Sequence, residues 1–166
     1  MTTEQIAALS ATDIRLLRQA IALSEQSRGQ GRHPFAALVA DQDGNIVASA
    51  GNNSMPPAGD PTQHAELAAV AQAARLLTPA QLLNCTLYTS AEPCCMCAGA
   101  VYWCNIGRVV YALSEHSLLA LTGDHAENPT FSLPCREVFA RGQRQIAVLG
   151  PALEAEAAQV HHGFWQ

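Results

Sequence analysis

The sequence predicts an α/β fold built on a five-stranded mixed sheet. Three observations carry that prediction: strand-like and helix-like segments alternate, the first two strand-like segments flank an Asp-Gly turn, and no linker-like stretch interrupts the order. At 166 residues and 49% hydrophobic content the chain can build one sizeable core but not two, so residues 1–166 read as a single domain. Thr12 or Asp13 is placed to cap a first helix whose apolar stripe is Ile14, Leu17 and Ile21 and which ends near Gly29. Segments 35–40 and 46–50 flank Asp43-Gly44, a hairpin signal. A second helix is expected to open at Asp60, with Pro61 in its first turn and Gln63 completing a capping box, and to bury Leu67, Val70, Ala74 and Leu77. Short apolar runs at 86–88, 109–111 and 146–148 supply three more strands. Helical stretches at 95–104 and 117–121 lie between them, and a last helix covers 151–160. The hairpin opens the sheet antiparallel, and helical crossovers join the rest.

Composition narrows the functional classes. The formal net charge is -5 with only nine Lys and Arg, so the basic footprint of a nucleic-acid binder is missing, which weighs against a large RNA or DNA substrate. No run approaches the length of a membrane span, and the opening MTTEQIAALSATDIRLL has no basic leader or cleavage signal, so a soluble, cytoplasmic protein is expected. Six cysteines without a secretory signal argue for reduced thiols in metal or catalytic use, and Cys94, Cys95 and Cys97 are too crowded for ordinary pairing.

The chemistry gathers at two helix starts. Cys94 and Cys97, three apart, share a helix face, and a helix N-terminus favours their thiolate forms. His64 supplies a nitrogen from a neighbouring helix. One His and two Cys make three zinc ligands, and a catalytic zinc site keeps its fourth position for water, whose pKa falls to about 7. Glu66, two residues beyond the histidine, is placed to take the water's proton and pass it to a ring nitrogen and leaving amine. A closed structural zinc with Cys85, Cys95, Cys104 or His33 as fourth ligand is the simpler alternative, but it leaves Glu66 without a task. HxE followed by PCxxC is the signature of zinc-dependent nucleobase deaminases.

With HPFAALV, Asn52-Asn53, DPTQHAELAAV and CTLYTSAEPCCMCAGAVYWCNIGRVVYAL, the chain resembles the cytidine and deoxycytidylate deaminase superfamily. It is most similar to the branch of guanine deaminases, fungal-type cytosine deaminases and bacterial tRNA adenosine deaminases. The resemblance implies a three-layer α/β/α sandwich, commonly a homodimer, with Asn52 bonding the base, Phe35 lining the ring pocket and the Ala65 backbone touching the ring. It implies hydrolytic removal of an exocyclic amine from a nucleobase, nucleoside or related heterocycle. Tyr102-Trp103 looks like the guanine deaminase branch and its purine metabolism, with Trp103 either stacking on substrate or packing in a dimer interface. The acidic residue that guanine deaminases carry after the fourth strand is matched here by Leu118, although Asp124 or Glu127 could supply a carboxylate. A guanine-type purine is therefore the favoured small-molecule substrate. The alternatives are cytosine, a tRNA wobble adenosine, which would need a basic surface, and a non-catalytic accessory subunit, which would not need Glu66. Phe164 and Trp165 either lid the site or finish the core. His33, His116 and His125 read as surface or loop residues, and Cys85, Cys95, Cys104 and Cys135 as small buried hydrophobes.

Overall fold

A computed structural model describes residues 9–166; the first half of the opening segment read above for a leader, residues 1–8, lies outside the described residues. The elements are α1 (Ala11–Gly29), β1 (Ala36–Ala40), β2 (Ile46–Gly51), α2 (Ala65–Leu76), α3 (Pro79–Leu83), β3 (Thr86–Ala91), α4 (Cys95–Trp103), β4 (Arg108–Leu113), α5 (Glu115–Thr122), α6 (Cys135–Ala140), β5 (Ala147–Leu149) and α7 (Glu154–Gln159). The five strands form one mixed sheet in the order β2-β1-β3-β4-β5. β1 pairs antiparallel with β2 and β3, while β3, β4 and β5 run parallel.

Two apolar clusters cover the two faces of this sheet, giving three layers. On one face Ala65, Ala69, Val70 and Ala73 of α2, Ala98 and Val101 of α4, and Phe139 of α6 pack on Val39, Leu87 and Val109. On the other, Leu16, Leu17 and Ile21 of α1, Leu118 of α5 and Ala157 of α7 pack on Leu38, Tyr88 and Val110. Successive strand residues point to opposite faces, which is why Val109 and Val110 serve different clusters. Among the described residues no helix is long and apolar enough to cross a membrane.

Several boundaries differ from expectation for local reasons. Ser10, not Thr12 or Asp13, caps α1; Asp13 instead completes its capping box. α2 starts at Ala65 rather than Asp60, because the preceding polar side chains serve a turn. Asp60 accepts from the Thr62 N–H at 2.8 Å, and Gln63 accepts from the Asn53 side chain. Val70 is buried as expected, beside Ala65, Ala69 and Ala73; Ala74 and Leu77 pack half-buried against the same cluster, and Leu67 is half-buried. α7 also begins late, at Glu154, and the short helices α3 and α6 were not expected.

Candidate active site

The antiparallel setting of β1 brings its start to the same rim of the sheet as the ends of β2, β3 and β4. A cavity of about 620 Å³ opens there, lined by Phe35 before β1, Asn52 after β2, Glu92 and Cys94 after β3, and Glu115 and Leu118 of α5. His64 and Glu66 reach it from the start of α2, and the loop 126–131 forms its outer wall. The α2 and α4 N-termini converge here, each helix beginning one residue after a candidate ligand, His64 or Cys94.

His64, Cys94 and Cys97 place their donor atoms within 4.8 Å of one another, and His64 Nδ1 stands 3.6 Å from Cys94 Sγ. Ligands about 2.0–2.3 Å from a tetrahedral zinc stand about 3.5–3.8 Å apart, so the trio has the spacing and donor chemistry of a zinc site. Among the described residues no fourth His, Cys, Asp or Glu joins this cluster, which leaves a coordination position open. A hydrogen bond from Cys97 and the neighbouring His64 hold Cys94 well below the usual thiol range. The same contact, with burial, raises Cys97, and the Cys94 bond raises His64.

Glu66 is 5% exposed, its oxygens 3.8 Å from Cys97 Sγ and 3.3 Å from the Thr89 hydroxyl. Burial pushes its carboxyl up to about 7, where it can both accept and release a proton at neutral pH. Phe35 and Asn52 line the cavity, and Asn52 Oδ1 is fixed by the Ser54 N–H at 3.0 Å. Ala65 is fully buried between His64 and Glu66 as the first residue of α2.

Trp103 is a correction. It is 79% exposed and does not line the cavity, since eight residues of helix beyond Cys95 carry it about 12 Å from the metal-binding end. The C-terminal aromatics also stand back from the cavity: Trp165 packs against His33, Phe35 and His125, and donates from its indole N–H to His161 Nδ1 at 2.9 Å. His33, expected as a surface or loop residue, does lie in a loop but is only 5% exposed and lines the cavity, its Nε2 3.5 Å from Glu127. Cys95 and Cys104 are only half-buried, whereas Cys85 and Cys135 are buried.

Glu92 and Glu115 were not singled out from the sequence. Glu92 is 5% exposed, and its two oxygens accept from the Glu115 N–H at 3.0 Å and the Cys135 N–H at 2.8 Å, tying the starts of α5 and α6 to the end of β3. Glu115 faces the cavity one helical turn before Leu118, and burial, with Cys94, Glu92 and Glu66 nearby, pushes it up to about 8. The signal for Glu115 was its spacing of three from Leu118, which puts both on one helix face. Of the loop acids, Glu127 lines the cavity and Asp124 does not.

A layered α/β protein with three side chains fit to hold zinc beside a buried carboxyl has the outline of a metal-dependent hydrolase. Residues 10–113 match the sequence model of the cytidine and deoxycytidylate deaminase zinc-binding region, and the chain belongs to that family. A Schizosaccharomyces pombe protein named as a probable cytosine deaminase is 43% identical over 157 residues, which cover 95% of this chain and 94% of that one. The guanine deaminase of Bacillus subtilis is 42% identical over 108 residues, 64% of this chain and 67% of its own. A solved structure of guanine deaminase from Nitrosomonas europaea aligns with a TM-score of 0.73 at 28% identity, covering 97% of this chain and 91% of that chain. The protein is thus a hydrolytic deaminase of the nucleobase and nucleoside type with a zinc-binding site.

Proposed function

We propose that the protein deaminates a free nucleobase or a similarly small aminated ring, with guanine-type purines as its preferred substrates. The observation that carries this reading is the placing of Glu66 against the His64, Cys94 and Cys97 trio at the floor of one cavity. When bound, zinc supplies Lewis-acid activation of the attacking water. Glu66 takes a proton from that water, gives it to the ring nitrogen beside the amino-bearing carbon, and serves again as ammonia leaves. Asn52 orients the ring through hydrogen bonds, Phe35 packs on its face, and the Ala65 backbone at the start of α2 contacts it. Net, water and the ring amine become a ring carbonyl and ammonia. A cavity of about 620 Å³ has room for a bicyclic base.

Cytosine is the second reading, favoured by the near full-length similarity to the Schizosaccharomyces pombe protein. Against a tRNA substrate stands the net charge of -5. We also propose a single domain, supported by apolar clusters on both faces of one sheet, and a homodimer, supported by the 79% exposure of Trp103. Six free thiols suit a reducing, cytoplasmic setting. The test is ammonia release by the zinc-loaded protein from guanine, cytosine, adenine, their nucleosides, aminotriazines and an anticodon stem-loop. Guanine is expected to lead; release from the RNA alone would overturn the reading.

A further inference from the structure

His33 has no task in the scheme above, yet it is buried beside the cavity with an unmet polar atom. Its Nε2 is shielded from solvent and, among the described residues, makes no hydrogen bond. A Glu127 oxygen stands 3.5 Å away, beyond an ordinary N–H to O distance. Burial pushes the imidazole below its ordinary value of 6.5, against the pull of Glu127, so at pH 7 the ring is neutral with a single N–H. A carboxylate beside Nε2 favours placing that hydrogen there. A donor left unmet in the interior is costly, and the cost is removed if the contact with Glu127 shortens by about 0.6 Å.

The two partners are held on opposite terms. The Ser27 hydroxyl and the Phe35 N–H both donate to the His33 carbonyl, at 2.9 and 2.8 Å. The His33 ring meets Phe164 and Trp165 edge to face, at centroid distances of 5.7 and 5.0 Å, so it is fixed to the body of the protein. Glu127, its side chain 44% exposed, belongs instead to the loop that forms the outer wall of the cavity. Among the described residues every hydrogen bond of segment 124–131 stays within 122–133. The approach of Glu127 to His33 is therefore the polar link from this wall to the body, beside the packing of His125 on Trp165 at 5.3 Å.

We infer that His33 is a positioning residue for substrate binding: by donating a hydrogen bond to Glu127 it latches the outer wall, residues 126–131, over the cavity. The inference rests on the deaminase reading above for the identity of the ligand, and adds to it the contact that controls access. Closure shuts water out and raises the fraction of the protein in the form that binds. Loss of the latch therefore lowers apparent affinity, while the hydrolytic step assigned to Glu66 stays in place.

Steady-state kinetics on guanine and cytosine, with amide hydrogen exchange of the zinc-loaded protein, test it. Glu127→Ala and His33→Phe, the latter keeping a ring against Phe164 and Trp165, should each raise KM about 5- to 20-fold, with kcat within about 3-fold and zinc content unchanged. The double variant should be no worse than the poorer single one, because both substitutions remove one contact. Glu127→Gln, which keeps an acceptor oxygen of the same reach, should retain most of the wild-type KM. Exchange in 124–131 should quicken in both single variants, while exchange in α2 and α4 matches the wild type. Additive effects of the two substitutions, an unchanged KM, unchanged exchange in 124–131, or faster exchange throughout the chain would each overturn the inference. Should His33→Phe not fold, Glu127→Ala set against Glu127→Gln reads the same contact from the exposed side. Absence of ammonia from every ring would remove the deaminase reading, whereas the exchange measurement still decides the latch without turnover.

Discussion

Two buried polar clusters occupy opposite ends of the sheet, and they are built on opposite terms. At the end where β3 and β4 begin, Asp13 accepts two bonds from the Arg108 guanidinium, both 2.7 Å, one from the Tyr88 hydroxyl at 2.7 Å and one from the Ser10 N–H at 2.9 Å. Burial alone would raise its pKa, but these donors overcome that and hold it far below the usual carboxylate range. At the cavity rim, Glu66 and Glu115 are as deeply buried but have few donors, and both are pushed upward. A buried carboxylate with a full set of donors ties elements together, whereas buried carboxyls with few donors and raised pKa values gather at cavities that can do chemistry. The first cluster anchors α1 to the sheet; the second faces the cavity.

The widest contrast should come from Glu66→Gln. Loss of the proton carrier is expected to reduce kcat by about 10³-fold or more, while metal analysis still finds one zinc per chain and the melting temperature holds or rises. If stability fell instead, Glu66 would belong with the structural cluster. The mirror experiment is Asp13→Ala, which leaves the Arg108 guanidinium and the Tyr88 hydroxyl without their acceptor. Denaturant titration should show a loss of about 3–5 kcal/mol, with kcat/KM nearly unchanged for the fraction that stays folded. A large activity loss at full stability would break the comparison from the other side.

A smaller effect sharpens it at the C-terminus. Burial pushes the His161 imidazole down to about 4, against an ordinary value of 6.5, and its Nδ1 accepts from Trp165 in the neutral form. Between pH 6.5 and 4 the unfolded chain binds a proton that the folded chain refuses, so stability is complete above that window and falls as the pH drops through it. The loss is bounded at roughly 3 kcal/mol and should flatten in His161→Phe, measured by urea midpoints across that range.

The metal trio was legible in the sequence because its spacing is local. Two cysteines three apart and an HxE at a helix start need no tertiary information. Glu115 was not, because an acid at a helix start ordinarily reads as a solvated end charge; only the sheet order brings it to the rim beside residues some fifty positions away. Trp103 was misplaced because the resemblance of an aromatic pair was followed and the helix length was not. α3 and α6 are five and six residues long, too short to show a helical period. The start of α2 was placed too early because its N-terminal signals, Asp60 and Gln63, are used by the preceding turn.

The division of labour between the two layers of helices bears on how such a protein can change. The candidate metal ligands and Glu66 sit at the starts of α2 and α4 on one side of the sheet, whereas Glu115, Leu118 and the outer wall belong to the connection after β4. Glu92, two residues before Cys94, ties the segment leading into α4 to the starts of α5 and α6 through its carboxylate. Under the proposed function, substitutions within that one connection would be the ones that retune which ring is accepted while His64, Cys94, Cys97 and Glu66 stay in place. On that reading, ring preference and deamination reside in separate parts of the chain.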